Sequence, residues 1–321
     1  MAKQCTLNAF QTQFKVSVIG CGNVGATAAY AMLIDGTPTE MVLMDRNCDK
    51  AEGLKLDLEH SMVFFNNTRV IAAGDFKACK DSHLVVVTAG ARQAEGETRL
   101  DLIAKNRALF RDIIPKIAKV APRAILLIVT NPVDVLTWEA AKLSGFPAGR
   151  VFGTGTLLDT ARLRFHIGEK LCLSPKSVEA FILGEHGDSS FPVWSSANIA
   201  GKPLMKFDGF GKKDANDCYK QARNAAYKII HDMGFTCYSI ATVIREIMVH
   251  IFQNSRAVLP LSVPLKKPYY GVFGVALSVP CVLGSTGVSE PILVPLNGEE
   301  RKKFKVAAKA VKGVGVLNRK V

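Results

Sequence analysis

The sequence predicts an α/β protein: a doubly wound parallel sheet followed by an α+β domain. Three observations carry this. A short β-branched run, Lys15 to Ile19 (KVSVI), leads into a glycine-rich turn and then an alanine-rich helical stretch, ATAAYAMLI. A second run, MVLMD, ends at Asp45. Two further runs, His83 to Thr88 (HLVVVT) and Ala124 to Thr130 (AILLIVT), are apolar without alternation. Such runs fit parallel strands buried on both faces, with helices as crossovers. Between them, Leu100 to Val120 has helical periodicity, and Pro115 is expected to kink or break that helix. There is no internal repeat and no low-complexity linker. The second half begins near Val151, after the turn-rich SGFPAGR. The expected domains are therefore 1–150, with a short N-terminal arm at 1–14, and 151–321.

Composition narrows the class. The chain has 321 residues, 48% apolar and 21% charged, enough for a well-buried core and unlike a disordered or fibrous chain. No segment reaches the roughly 18 uninterrupted apolar residues of a membrane span. The longest candidate, Val272 to Leu283, is interrupted by Gly274 and Pro280. The N-terminus has no signal-type apolar core, so a cytosolic protein with no membrane partner is expected. The cysteines (Cys5, Cys21, Cys48, Cys79, Cys172, Cys218, Cys237, Cys281) form no C-x-x-C pair. They read as free thiols, mostly buried, and no metal is expected.

The formal net charge is +13, and eight basic residues with no acidic ones follow from Arg301 to the end. Phe304, Ala307, Ala308 and Val311 fall at helical spacing among them, so this is an amphipathic terminal helix. A solvated helix face is the expected outcome. A docking surface for nucleic acid or an acidic partner is the alternative, and nucleic acid is not expected.

The glycine turn reads Gly20-Cys21-Gly22-Asn23-Val24-Gly25. Gly20 allows the tight turn from strand to helix. Gly22 leaves room for a pyrophosphate, and Gly25 lets the helix pack closely on the strand. Phosphates would sit at the helix N-terminus, where free N–H groups and the dipole favour negative charge. Asp45 lies twenty residues past Gly25 and can accept hydrogen bonds from a ribose 2′-OH, which favours NAD over NADP. The adjacent Arg46 is the one feature pointing the other way. This is a Rossmann-type arrangement. Ligands bind beyond the carboxyl ends of such strands. That sets Thr88, Ala89 and Gly90, and then Val129 and Asn131, beside the cofactor. Cys21 lies within the phosphate loop, where packing is its expected role.

Six segments, GCGNVG, TAGARQAEGETR, VTNPVD, LDTARLR, LGEHGDSS and GFTCYSIA, occur in this order between about Val16 and Gly287. Together they resemble the L-lactate/L-malate dehydrogenase family. The resemblance implies NAD as cofactor, a 2-hydroxy acid as substrate and a homotetrameric assembly. It implies that His186 is the proton acceptor and that Asp159 orients it. The chemistry agrees: oxidising an alcohol needs a base active near neutral pH, and a carboxylate beside imidazole fixes its tautomer and stabilises its charged form. The other histidines (His60, His83, His166, His231, His250) are read as structural. Arg162, three residues after Asp159 and so on the same helix face, would bind the substrate carboxylate through two parallel hydrogen bonds. The resemblance assigns Arg99 to polarise the substrate carbonyl from a loop that closes over it. It also implies that Asn131 bonds substrate near the nicotinamide, that Thr236 lines the pocket, that Ile240 packs near the nicotinamide and that Arg92 belongs to the cofactor side.

Malate-specific relatives carry an arginine six residues before the loop arginine. Here that position is Gln93. A neutral amide would leave a second carboxylate unpaired in a closed site, at a cost on the order of several kcal/mol. The expectation is therefore lactate-type chemistry, pyruvate and L-lactate, with malate or a bulkier 2-hydroxy acid as alternatives. Bisphosphate-activated relatives resemble one another in an arginine two residues after the carboxylate-binding one and a histidine seven before the catalytic one. Arg164 fits the first, but the second is Glu179, so no activation by fructose 1,6-bisphosphate is expected.

Overall fold

β-Branched and apolar residues build the first half as the runs suggest. In the computed structural model, which describes residues 13–65, 68–91 and 99–316, β1 is Lys15–Ile19 and the glycine turn leads into α1 at Asn23–Asp35. β2 (Glu40–Met44), α2 (Cys48–Ser61), β3 (Arg69–Ala73) and β4 (Leu84–Val87) follow. Then come α3 (Arg99–Val120), β5 (Ile125–Ile128), α4 (Val133–Ser144) and β6 (Val151–Gly153). The six strands pair in parallel in the order β3-β2-β1-β4-β5-β6. Strand order reverses between β1 and β4, which opens a crevice at their carboxyl ends.

Both faces of this sheet are buried, with period two. Leu84, Val86, Ile125 and Leu127 face one core with α1, while Val85, Val87, Leu126 and Ile128 face a second with α3 and α4. The runs lack alternation because each face has its own helices. Pro115 does not break α3, which is one continuous helix. Its stripe of Phe110, Ile113, Ile114 and Ile117 is buried against the sheet. That burial, roughly 1.5–3 kcal/mol per side chain, outweighs one lost helical hydrogen bond.

The second half is α+β, as expected. α5 (Leu157–Leu171) packs on α6 (Lys212–Met233). Between them lie five two-residue strands: β7 (Val178–Glu179), β8 (Ile182–Leu183), β9 (Phe191–Pro192), β10 (Asn198–Ile199) and β11 (Lys202–Pro203). α7 (Tyr238–Phe252) lies along α1. Three longer strands, β12 (Ala257–Leu265), β13 (Val275–Gly284) and β14 (Gly287–Pro291), are antiparallel. They are not a separate sheet. β12 pairs with β6 at Ser262 and Gly153, so the parallel sheet continues into the second half as nine strands.

α8 (Gly298–Val316) is the amphipathic basic helix. Asn297 and Glu300 cap its start reciprocally, at 2.9 Å in each direction. Phe304, Ala307, Ala308 and Val311 are buried beneath it. Several of its cations have partners on the protein's own surface. Lys303 pairs with Glu299, Arg301 donates to the Leu296 carbonyl and stacks on Tyr270, and Lys312 lies over Phe273. Among the described residues, no helix is long and apolar enough to cross a membrane. Five of the seven described cysteines, Cys21, Cys79, Cys218, Cys237 and Cys281, are buried, and Cys48 and Cys172 are exposed.

Candidate active site

The glycine turn is shaped by close approach. Gly20 has φ +104°, and a side chain there would meet the Ala89 backbone at 2.6 Å. A Cβ on Gly25 would overlap the Gly20 carbonyl oxygen and lie 2.8 Å from the Thr88 hydroxyl. At Gly22, by contrast, a Cβ would meet nothing within 4 Å. No side chain caps α1, so the N–H groups at its start, including Asn23 and Val24, remain for an anion. The open side of the turn thus fits a pyrophosphate.

Neighbouring groups stiffen this cradle. The Thr88 hydroxyl donates to the carbonyls of Ile19 (3.1 Å) and Gly20 (2.7 Å). Asp45 accepts the Cys21 N–H at 2.8 Å and the Asn47 N–H at 3.0 Å. Each carboxylate oxygen keeps a free lone pair for a ribose hydroxyl. Burial, with Asp45 close by, pushes the Cys21 thiol up to about 11, so it packs as a small apolar group. At the ends of β4 and β5, Asn106 accepts the Ala91 N–H (2.7 Å) and donates to the Asn131 carbonyl (2.9 Å). Gly90 lies where a Cβ would strike Thr130, and Val129 donates to the Val87 carbonyl at 3.0 Å.

The chemical end lies on α5 and the turn between β8 and β9. Asp159 and Arg162 share one face of α5, with Arg162 Nη1 3.4 Å from Asp159 Oδ1. Asp159 Oδ2 lies 2.6 Å from His186 Nδ1. The Asp159 side chain is 14% exposed and the imidazole 29%, so the ring keeps one open edge. Among the described residues, Nε2 takes no hydrogen bond. Burial alone would lower the His186 pKa, but the charge and hydrogen bond of Asp159 override it and raise the pKa above its ordinary value. Burial would raise Asp159, but His186 and Arg162 hold it below the usual carboxylate range. With Nδ1–H given to Asp159, neutral His186 presents a lone pair at Nε2, which suits a base.

Family models match nearly the whole chain. Residues 14–153 match the lactate/malate dehydrogenase NAD-binding domain, and residues 156–314 match the lactate/malate dehydrogenase alpha/beta C-terminal domain. The chain belongs to the lactate/malate dehydrogenase family. It is 42% identical over 306 residues to an L-lactate dehydrogenase of Clostridium botulinum (strain Loch Maree / Type A3), covering 93% of this chain and 95% of that one. An L-lactate dehydrogenase of Acetivibrio thermocellus is also 42% identical, covering 94% and 96%. Among solved structures, a ligand-bound minor L-lactate dehydrogenase from Enterococcus mundtii superposes with a TM-score of 0.92 at 38% identity, covering 96% and 99%. NAD is the cofactor of the family's N-terminal domain, and the open glycine turn fits it.

The structure brings most of the expected family residues together. Gly20, Gly22, Asn23, Val24, Gly25, Asp45, Thr88, Ala89, Gly90, Val129 and Asn131 lie at the carboxyl ends of β1, β2, β4 and β5. His186, Asp159 and Arg162 form one constellation. Thr236 lies between α6 and α7, and Ile240, on α7, packs against the core. Arg99 opens α3. Arg92 and Gln93 lie outside the described residues. Among the other histidines, His83 stacks on Phe14 and accepts the Lys15 N–H at 3.1 Å.

Four supporting groups escaped sequence reasoning. Asn106 is 1% exposed and interrupts the apolar stripe of α3 between Ile103 and Phe110, a signal that could have found it. Asp134 is buried in the first turn of α4, and Ser262 and Ser278 face each other across β12 and β13. A serine inside an apolar run gives no sequence cue to its partner.

Replacing Asp159 by Asn should lower kcat/KM by roughly 10²–10⁴-fold. It should also move the alkaline limb of 2-oxo-acid reduction to lower pH. The sign follows from the raised His186 pKa: reduction needs the imidazolium, and without the carboxylate's charge the ring loses its proton sooner. The pH profile of kcat/KM measures this, and an unmoved limb refutes the role.

Proposed function

We propose that the protein is an NAD-dependent L-lactate dehydrogenase that interconverts L-lactate and pyruvate. The observation that carries the reading is the His186–Asp159 pair with Arg162 on the same helix face. It combines an activated base with a fixed carboxylate anchor beside a family NAD-binding domain. Residues 1–150 would serve the cofactor and 151–321 the substrate. The relatives named L-lactate dehydrogenase and the neutral Gln93 support pyruvate over oxaloacetate.

Bound NAD supplies the acceptor for the hydride that leaves the substrate. The chain's own part is to bind, orient and move a proton. Arg162 takes the substrate carboxylate through paired hydrogen bonds. Nε2 of neutral His186 accepts the lactate hydroxyl proton, and Asp159 stabilises the imidazolium that results. In the reverse direction the imidazolium returns that proton to the pyruvate carbonyl oxygen. Arg99 would polarise the same oxygen, Asn131 would bond it, and Thr236 and Ile240 would shape the pocket wall. Expelling water on loop closure would strengthen these interactions.

NADH oxidation followed at 340 nm should be more efficient with pyruvate than with oxaloacetate, and Gln93→Arg should move the preference toward oxaloacetate. A wild-type preference for oxaloacetate would overturn the lactate reading. Arg164 donates to the Ala180 carbonyl at 3.1 Å and stacks on Phe181, with Glu179 close in sequence. Fructose 1,6-bisphosphate should therefore leave the pyruvate KM unchanged, and a clear drop contradicts this. We also propose a cytosolic homotetramer, on the family resemblance. Light scattering should then give about four times the 34.7 kDa chain mass, and a monomer would refute it.

A further inference from the structure

His186 is held at two points by two carboxylates from two helices, and the reaction as described uses only one. The second is Asp134, 2% exposed in the first turn of α4. Its Oδ2 accepts the His186 main-chain N–H at 2.7 Å, and its Oδ1 accepts the Ser262 hydroxyl at 2.6 Å. A main-chain carbonyl or an amide oxygen would satisfy the same N–H. A buried carboxylate instead carries the desolvation cost of an ion removed from water. The α4 dipole offsets part of that cost. The hydrogen bonds from Ser262 and the His186 N–H offset more of it, and, among the described residues, His186 is the cation that also acts on Asp134.

We propose that Asp134 is a positioning residue for the reaction: it pins the His186 main chain to the start of α4 and, together with Asp159, sets the field in which the imidazole gains and loses its proton. The inference rests on the proposed function. It differs in kind from the role of Asp159, which bonds the ring. Asp134 bonds the main chain of the base, three residues from Asn131 on the cofactor side. A shift of α4 is thereby transmitted to the base.

Among the described residues, the charged groups acting on His186 are Asp159 and Arg162 of α5 and Asp134 of α4, and Glu185 of its own turn acts on Asp134. Ser262 of β12 contributes a neutral hydroxyl by way of Asp134. Of these, Asp159 and Asp134 favour the imidazolium and Arg162 opposes it. Burial pushes the Asp134 carboxyl up to about 6, against the bonds from Ser262 and the His186 N–H. At neutral pH it remains largely ionised.

The test is Asp134→Asn, which keeps an oxygen for the His186 N–H and removes the charge. The alkaline limb of kcat/KM for pyruvate reduction should move down by roughly one pH unit, with NADH affinity within about twofold of wild type. Asp134→Glu, which keeps the charge but displaces it, should leave the limb in place and lower kcat. A folded Asp134→Asn enzyme whose limb stays at the wild-type pH overturns the proposal, since a merely structural role moves stability and not the limb. Should that variant fail to fold, the wild-type holoenzyme answers by NMR with histidine labelled at Cε1, His186→Asn identifying the resonance. A second, smaller step near pH 6, as Asp134 takes its proton, is expected. A single step overturns the proposal. If wild type does not reduce pyruvate at all, the functional reading fails separately, and the NMR step still judges Asp134.

Discussion

His186, the candidate base, stands on a turn that cannot hold itself. β8 and β9 are two residues each, and the segment between them, Gly184 to Ser190, has no regular structure of its own. Its position depends on hydrogen bonds from elsewhere. Asp159 fixes the imidazole, and Asp134 fixes the main chain behind it. Gly184 exchanges two main-chain bonds with Ser278 of β13, at 3.0 and 2.8 Å. The Thr160 hydroxyl accepts the Ile182 N–H at 2.9 Å, and the Thr156 hydroxyl donates to the Ile182 carbonyl at 2.5 Å. A proton-transfer group must be held to a few tenths of an ångström, and only a fully satisfied buried polar network does that.

This explains the antiparallel extension of the sheet. β12 and β13 bring Ser262 and Ser278 to the point where α4, α5 and the β8–β9 turn meet. The Ser262 hydroxyl serves Asp134, and the Ser278 hydroxyl accepts the Thr156 N–H at 3.0 Å. Each is 0% exposed, so an unmet partner would cost about 1–3 kcal/mol. The second half is therefore registered against the first through the site itself as well as through the shared sheet.

α7 makes a second connection. It lies along α1, and Arg245 donates from Nε to Asp35 at 2.7 Å. α1 begins at the glycine turn and α7 carries Ile240, so the candidate cofactor turn and the proposed pocket wall are parts of one packed pair of helices. The cradle depends on atoms approaching more closely than any side chain allows, which is why Gly20 and Gly25 cannot be replaced without moving Ala89 or Thr88.

By itself the sequence determined what local rules control. Unbroken apolar runs mark doubly buried strands, a glycine turn between strand and helix marks an anion cradle, and helical spacing sets Asp159 and Arg162 on one face. The amphipathic pattern of α8 likewise named its buried residues Phe304, Ala307, Ala308 and Val311. Those signals depend on neighbours within a few residues along the chain, so they survive in one dimension. Only the tertiary structure decided what long-range pairing controls. The joining of β12 to β6, the continuity of α3 through Pro115, and the meeting of Asp134 with His186 and Ser262 depend on residues up to 128 positions apart. A buried carboxylate or serine acquires its role from the group that satisfies it, and no pattern along the chain records which group that is.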